Sequence, residues 1–241
     1  MKLFRNKRSK LLKKKEIASY IAYAIGEIIL VVIGILIAVS LNNWNERRKE
    51  KAKLLNIYSI VQDDLENDIK EIDKMFSYYD LAEPLFNKIL KDSIKAVDYA
   101  FNPQYIAIMI GFPEITFNKR GYNQLEAFNT DKFQDSLPTQ IIEFYTERLR
   151  EIKIDDDMRS EDIKENYSHF KKNYEWWSSV INFRPTKEFI DYALNDPDYK
   201  NRIATTHFMA YKIFLPELKI FKTRAEKIMK EIEKRIAEKE D

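Results

Sequence analysis

The feature that most constrains this chain is an apolar run near its N-terminus, from Ile17 to Leu41, in which Glu27 is the single charged residue. The 25 residues of this run rise about 37 Å as an α-helix, and the hydrocarbon core of a bilayer is about 30 Å thick. A helix over residues 17–41 is therefore long enough to cross a membrane. The run predicts one transmembrane helix surrounded by a lipid bilayer.

The charges on either side of this helix predict its orientation. Residues 1–16 form a tail with eight Lys and Arg residues, and basic residues favour the cytoplasmic side of a membrane. A second basic group at residues 47–53 weakens the bias, although long domains are exported largely regardless of charge. A cleaved signal peptide is the alternative, because Ala38-Val39-Ser40 resembles a cleavage site, but the apolar run is too long for one. We expect a cytoplasmic N-terminus and an exported C-terminal domain.

Two features of the transmembrane helix predict contacts within the membrane. Small residues recur at every fourth position along one face of the helix, interrupted by Leu30, so that a second helix can approach closely: Ala18, Ala22, Gly26, Gly34 and Ala38. Glu27 lies about ten residues into the span, where an ionised carboxylate is costly without a partner. It is either a protonated Glu bonded to an identical helix or to Tyr23, or a relay for protons or ions. The row predicts a homo-oligomer or a membrane-protein partner.

The remaining chain, residues 42–241, has the composition of a soluble all-α domain. The whole chain has four Gly and seven Pro residues against 33% charged residues, which leaves few turn signals for a sheet. The first 41 residues hold eight of the 41 basic and two of the 39 acidic residues, so the domain carries about four net negative charges. A mildly acidic domain does not favour nucleic acid. The chain has no cysteine, which excludes disulfides and thiolate chemistry.

Apolar spacing predicts an antiparallel bundle of about three long helices with shorter connecting helices. The first continues from the transmembrane helix to about residue 92, with Pro84 as a possible kink. An irregular cap over residues 92–137 contains short helices at Gln104–Ile110 and Arg120–Phe128, and it is either a packed connector or a site for a ligand or partner. The second long helix starts at Pro138 and reaches Ile181. A short helix at 187–194 precedes the last one, which begins at Asp196-Pro197, with Pro216 as a possible kink.

Residues with catalytic or ligand-binding chemistry do not form a recognisable motif. His169 and His207 lack metal-ligand spacing, and we interpret them as structural. The acidic runs Asp63-Asp64 with Glu66 and Asp68, and Asp155-Asp156-Asp157, are typical of solvated helix faces. The aromatic residues Tyr174, Trp176 and Trp177 form either core or a binding box, and their spacing favours core. We therefore predict no catalytic residue, no metal and no cofactor, and we leave a small-molecule ligand open.

The membrane segment also carries a resemblance. The run AIGEIILVVIGILIA at residues 24–38, followed by NNWNE at residues 42–46, resembles the N-terminal signature of a bacterial family of single-pass proteins classified only as a domain of unknown function. The segments Tyr122–Leu125 and Ile141–Tyr145 are similar to later parts of that family. The resemblance implies a protein of the bacterial inner membrane with a periplasmic domain, and it implies no activity.

Three hypotheses about function follow. The first is a non-enzymatic interaction or assembly module of the cell envelope, which binds a protein partner or itself. The second is an ion-coupled membrane subunit that uses Glu27. The third is a sensory or ligand-binding helical bundle that acts through a partner, since no second span follows to carry a signal back.

Overall fold

The computed structural model describes residues 3–129 and 135–238, with the side chains of residues 3–20 and 22 outside the description. Most of the described residues are helical and none of them lies in a β-strand, which confirms the all-α prediction. The helices are α1 (Leu3–Leu90), α2 (Ala96–Phe101), α3 (Gln104–Ile110), α4 (Arg120–Glu126), α5 (Leu137–Asn173), α6 (Trp177–Val180), α7 (Lys187–Asn195), α8 (Pro197–Phe208) and α9 (Leu215–Ala237). A π-helix, Met209–Phe214, connects α8 to α9.

The chain divides into two compact units, residues 1–54 and 55–241, and α1 contributes to both. In the first unit the apolar side chains of α1 are exposed, for example Leu30 at 71%. Among the described helices α1 alone is long and apolar enough to cross a membrane, and its apolar stretch lies near the N-terminus with none of it buried. Exposure of such a stretch is what a lipid-facing helix requires.

The second unit is built around a face of α1 whose residues recur every three or four positions. The face includes Tyr58, Val61, Leu65, Ile72 and Tyr79, all nearly or fully buried. Pro84 lies inside α1 without ending it. The helix ends two residues before Asp92, which adopts a left-handed conformation with φ of 53° while the Ser93 amide bonds back to the Lys88 carbonyl. Aspartate is one of the few residues that tolerates this conformation.

The long helices of this unit are not all antiparallel. Tyr58 on α1 bonds to Asp135, just before α5, and Tyr79 bonds to Arg159 in the middle of α5, so α1 and α5 run in the same direction. The α8–α9 segment runs the other way, because Tyr211 bonds to Tyr79 and Arg235 bonds to Asp135. The predicted antiparallel packing therefore holds for the last segment only. The connection over residues 91–136 is long enough to return the chain to the start of the bundle.

The second long helix is shorter than predicted. It ends at Asn173 rather than Ile181, because Tyr174 adopts an extended conformation and the chain restarts as α6 at Trp177. The break turns Trp176 and Trp177 inward, where both are buried in an aromatic cluster with Phe170 and Phe189. This packing confirms core rather than a binding box for the two tryptophans.

Other helix boundaries agree with the sequence. The helix α3 has the predicted bounds, and α4 begins at the predicted Arg120. The Asp196 carboxylate caps α8 by accepting the Asp198 amide, with Pro197 as the first helical residue. Pro216 lies at the start of α9, two residues after the π-helix. Proline has no backbone N–H to donate, and the wider turn of the π-helix comes immediately before this position.

Candidate functional site

The region around the segment 111–121 contains the most concentrated buried polar chemistry that the structure describes. This segment, which we call the strap, runs from the end of α3 through the first two residues of α4, Arg120 and Gly121, and it lies against α1 and α5. Asp64 on α1 is fully buried and accepts two kinds of bond from the strap: the Gly121 amide at 2.8 Å, and the Arg120 guanidinium at 2.7 and 2.9 Å. The carboxylate therefore fixes the start of α4 on α1.

One helical turn later, Asp68 holds the strap at a second point. Asp68 is also fully buried, and its Oδ1 atom accepts the Asn118 backbone amide at 2.9 Å and the Asn118 side-chain amide at 2.8 Å. Burial raises the pKa of Asp68 to about 6, although the bonds from Asn118 oppose the change. The interpretation of this acidic run as a solvated face is wrong for Asp64 and Asp68, since both lie on the inner face of α1 beside Val61, Leu65 and Ile72.

The strap can approach α1 this closely because residue 121 is glycine. A Cβ atom at Gly121 would lie 2.5–2.7 Å from the backbone and side chain of Val61. Such distances are too short for real contacts, so the Gly121 amide reaches Asp64 only in the absence of a side chain. A close approach of two backbones is a common reason for glycine at a helix start.

A buried arginine fixes the other end of the strap. Arg159 on α5 is 5% exposed and donates to Asp156 at 3.0 Å, to the Tyr79 hydroxyl at 2.5 Å and to the Pro113 carbonyl at 3.4 Å. Its guanidinium carbon also lies 3.7 Å from the centre of the Phe214 ring, in the π-helix. Cation–π contacts and charge-assisted bonds together offset the desolvation of a buried cation. Within the acidic run 155–157, Asp156 thus pairs with a buried arginine, whereas Asp157 pairs with the exposed Lys153.

A small cleft beside Arg159 is already occupied by the protein's own polar groups. The cleft lies between α5, α8, the strap and Tyr79 of α1, and it has room for little more than a water molecule. Asp162 borders the cleft, accepts the Thr206 hydroxyl at 2.8 Å, and has a pKa raised by burial. The surrounding hydrogen bonds are internal to the protein, so the cleft stabilises the bundle and offers few free donors to a ligand.

A second concavity has the opposite character. An apolar groove with a volume of about 150 Å³ lies between α1 and α3, and its lining residues are Tyr78, Leu81, Ala82, Leu85, Gln104, Ala107 and Ile108. None of these residues carries a charge. Leu81 is 80% exposed and Phe101, three residues before α3, is 83% exposed, which makes them the two most exposed large apolar side chains described in the second unit. A groove of this kind suits an apolar side chain or helix face rather than a charged ligand.

The predicted site residues of the transmembrane helix lie on an open surface. A Cβ atom added at Gly26 or at Gly34 would meet nothing within 4 Å beyond the backbone of its own helix, and Ala38 is exposed. Glu27 is exposed among apolar neighbours. Ala18 and Ala22 lie outside the residues whose side chains are described, as does the basic tail at 1–16. The row is therefore available to a second helix, and contact with one stays a prediction.

The histidines lie in different places, and neither joins a metal site. His207 stacks on Tyr211 with ring centres 4.5 Å apart, and burial lowers its pKa. His169 Nε2 lies 3.1 Å from Asp198 Oδ2. Across residues 3–129 and 135–238, no three His, Asp or Glu side chains are grouped as they would be around a metal ion.

Comparison with known proteins adds one finding. Residues 27–111 match the model of DUF6090, a family of unknown function. The expected resemblance to a family of unknown function is thereby confirmed over these residues. The DUF6090 match contains Asp64, Asp68 and every residue that lines the apolar groove, and it ends at Gly111, where the strap begins. No curated protein and no solved structure matches the chain in these comparisons.

Proposed function

We propose that this chain is a membrane-anchored interaction module of the bacterial cell envelope. Its helix at residues 17–41 holds it in the inner membrane with the basic tail in the cytoplasm, and its helical domain lies in the periplasm and binds a protein partner without catalysing a reaction. The observation that carries the proposal is the apolar groove between α1 and α3. A soluble surface rarely exposes large apolar side chains next to a formed groove unless something covers them.

The chemistry of the groove indicates one class of occupant, an apolar helix face from a protein partner. Tyr78, Leu81 and Leu85 follow one another at spacings of three and four, so they form a straight wall along α1. Ala82 and Ala107 are small and leave depth between the two helices. A helix that places leucine-sized residues at spacings of three and four fits such a channel, in the manner of helix-in-groove recognition.

The absence of cysteine makes a direct test possible. A single substitution, Leu81→Cys, introduces the sole thiol of the chain at the edge of the groove. We would attach a photoactivatable benzophenone to this thiol in native membranes, irradiate, and identify the attached peptide by mass spectrometry. We expect one recurrent adduct, and its peptide should be an apolar segment with helical spacing.

The matched control is Glu226→Cys, an exposed position on α9 away from the groove residues. It should not give the same adduct. Attachment to a second copy of this chain at position 81 would identify the groove as a self-association surface and overturn the hetero-partner assignment. Attachment of lipid or of unrelated proteins with no recurrent peptide would contradict binding at the groove.

A second candidate function rests on Glu27. This carboxylate lies in an apolar, exposed stretch of the first unit, and charged residues within membranes are usually retained for pairing or ion movement. An ion-coupled subunit predicts that Glu27→Gln abolishes function while expression and membrane insertion stay normal. Normal function of this variant in cells would remove the second candidate. It would leave the other interpretation of Glu27, a protonated side chain bonded to an identical helix or to Tyr23.

A further inference from the structure

Asp68 differs from its neighbour Asp64 in one respect that matters for its charge. Both are fully buried and both bind the strap, but the Arg120 guanidinium pairs with Asp64 and leaves Asp68 with the neutral amides of Asn118. The second carboxyl oxygen of Asp68, Oδ2, is buried and has no hydrogen-bond partner in the described part of the chain. A buried carboxylate without a cation is strongly disfavoured relative to its protonated form.

The groups that surround Asp68 favour the protonated form of its carboxyl group. On its own helix, Asp64 and Glu71 are both negative and act on Asp68. From α5, Tyr145 is a fully buried phenol whose hydroxyl has no described partner and whose electrostatic surroundings include Asp68 and Asp64.

From α9, Phe221 packs against Tyr145, and Lys222 is paired with Asp73, further along α1. No described cation is therefore paired with Asp68.

We propose that Asp68 is a proton-dependent latch, which holds the strap on α1 when its carboxyl group is protonated and weakens when the proton leaves. The weakening does not come from the Asn118 bonds, which favour the ionised form. It comes from burial, because an ionised Asp68 gains more from solvent when the strap lifts than it gains from Asn118 when the strap is closed.

The direction of the pH effect follows from the difference in proton binding between the closed and the open state of the strap. Burial raises the pKa of Asp68 from 3.8 to about 6 in the closed state, whereas a lifted strap would return it toward the ordinary value. The closed state then binds more protons than the open state between these two values, so opening becomes easier as the pH rises from about 4 to 6. A difference of about two pH units corresponds to a change of about a hundredfold in the opening equilibrium, with a plateau above pH 6.

Hydrogen exchange of two backbone amides measures the latch directly. The Asn118 amide is bonded to Asp68 and the Gly121 amide to Asp64, so both report on strap opening. We would measure their protection factors in the full chain in detergent micelles from pH 4 to 7, after correction for the intrinsic pH dependence of exchange. Protection should fall by up to about a hundredfold up to pH 6 and then level off.

Three variants separate the latch from general destabilisation. Asp68→Asn keeps the shape and the acceptor for Asn118, so protection should become independent of pH over this window. Asn118→Ala keeps the carboxyl but removes a donor that favours ionisation, so the midpoint should move to higher pH. Asp64→Asn should lower protection without removing the pH dependence.

Protection that does not vary with pH in the unmodified chain would overturn the proposal. An unchanged pH dependence in Asp68→Asn would also overturn it, and if that variant did not fold, an unmoved midpoint in Asn118→Ala would do so. The groove and its partner play no part in this measurement, so its result is independent of the proposed function.

Discussion

The Gly121 amide donates to Asp64 Oδ2 at 2.8 Å, at a point where the backbone of α4 meets that of α1. This contact joins the end of the strap to the bundle, and it depends on three residues at once: a glycine without a side chain, a buried carboxylate to accept the bond, and Val61 as the surface against which the glycine rests.

Substitution of Gly121 by alanine should therefore destabilise the second unit. The added Cβ would lie within 2.7 Å of Val61 backbone atoms, which cannot move as the tip of a flexible side chain could. Overpacking of this kind typically costs about 1–3 kcal/mol. Urea unfolding followed by circular dichroism measures the change, and Gln124→Ala, an exposed position in the same helix, should shift stability by less than about 0.5 kcal/mol. Equal stability of Gly121→Ala and the unmodified chain would show that the strap does not pack as described.

Arg159→Met should weaken the bundle more than the loss of a surface ion pair does. The substitution keeps an apolar stem but leaves the Tyr79 hydroxyl, the Pro113 carbonyl and Asp156 without their donor. We expect the free energy of unfolding to fall by about 2–4 kcal/mol. This is less than the cost of breaking a fully buried ion pair, because Asp156 is partly exposed. Arg150→Met, which removes an exposed pair with Glu151, should cost under about 1 kcal/mol. Similar losses in the two variants would contradict a structural role for Arg159.

His207 should make the fold sensitive to mild acid. Burial against Tyr211 and Phe86 lowers its pKa below 6.5, so the unfolded chain binds a proton that the folded chain does not. Its contribution to stability is present above pH 6.5 and is lost as the pH falls from 6.5 through the folded-state pKa. His207→Phe, which keeps the ring packing, should reduce the loss of thermal stability between about pH 6.5 and 5. An identical pH profile in the variant would show that His207 does not titrate on unfolding.

The proposed topology predicts which side of the membrane the helical domain occupies. In a chain without native cysteine, Glu226→Cys provides one exposed thiol in α9. A membrane-impermeant maleimide should label this thiol in intact bacterial spheroplasts to the same extent as in lysed ones. Labelling only after lysis would place the domain in the cytoplasm and reverse the orientation inferred from the basic tail.

The sequence predicted the helices better than it predicted the polar interior. Helix starts with strong local signals, such as Asp196-Pro197, agree with the structure because the cap and the proline act within a few residues. The parallel course of α1 and α5 depends on how the 91–136 connection packs, and the spacing of apolar residues within each helix does not reveal that packing. The break at Tyr174 likewise reflects burial of two tryptophans against other helices, which overrides helix propensity.

The sequence spacing of the buried charged residues indicates their burial, but the high fraction of charged residues in the chain makes this pattern hard to recognise. Asp68 lies at the apolar spacing of Val61, Leu65 and Ile72, and Arg159 lies at that of Ile152 and Ile163. A charged residue in register with an apolar face is a candidate for a buried pair, but in a chain with 33% charged residues the acidic runs looked like solvated surface. The apolar groove could not be predicted, because it exists only where α3 meets α1.

The most direct test of binding in the groove is photocrosslinking from Leu81→Cys with the groove either open or filled. Ala107 lines the groove, so Ala107→Phe in the same chain should occupy the space that a partner side chain would enter. We expect the recurrent adduct at position 81 to be lost in the filled variant while circular dichroism and thermal unfolding stay close to those of the unfilled one. The same adduct at the same yield in both chains would contradict binding in the groove.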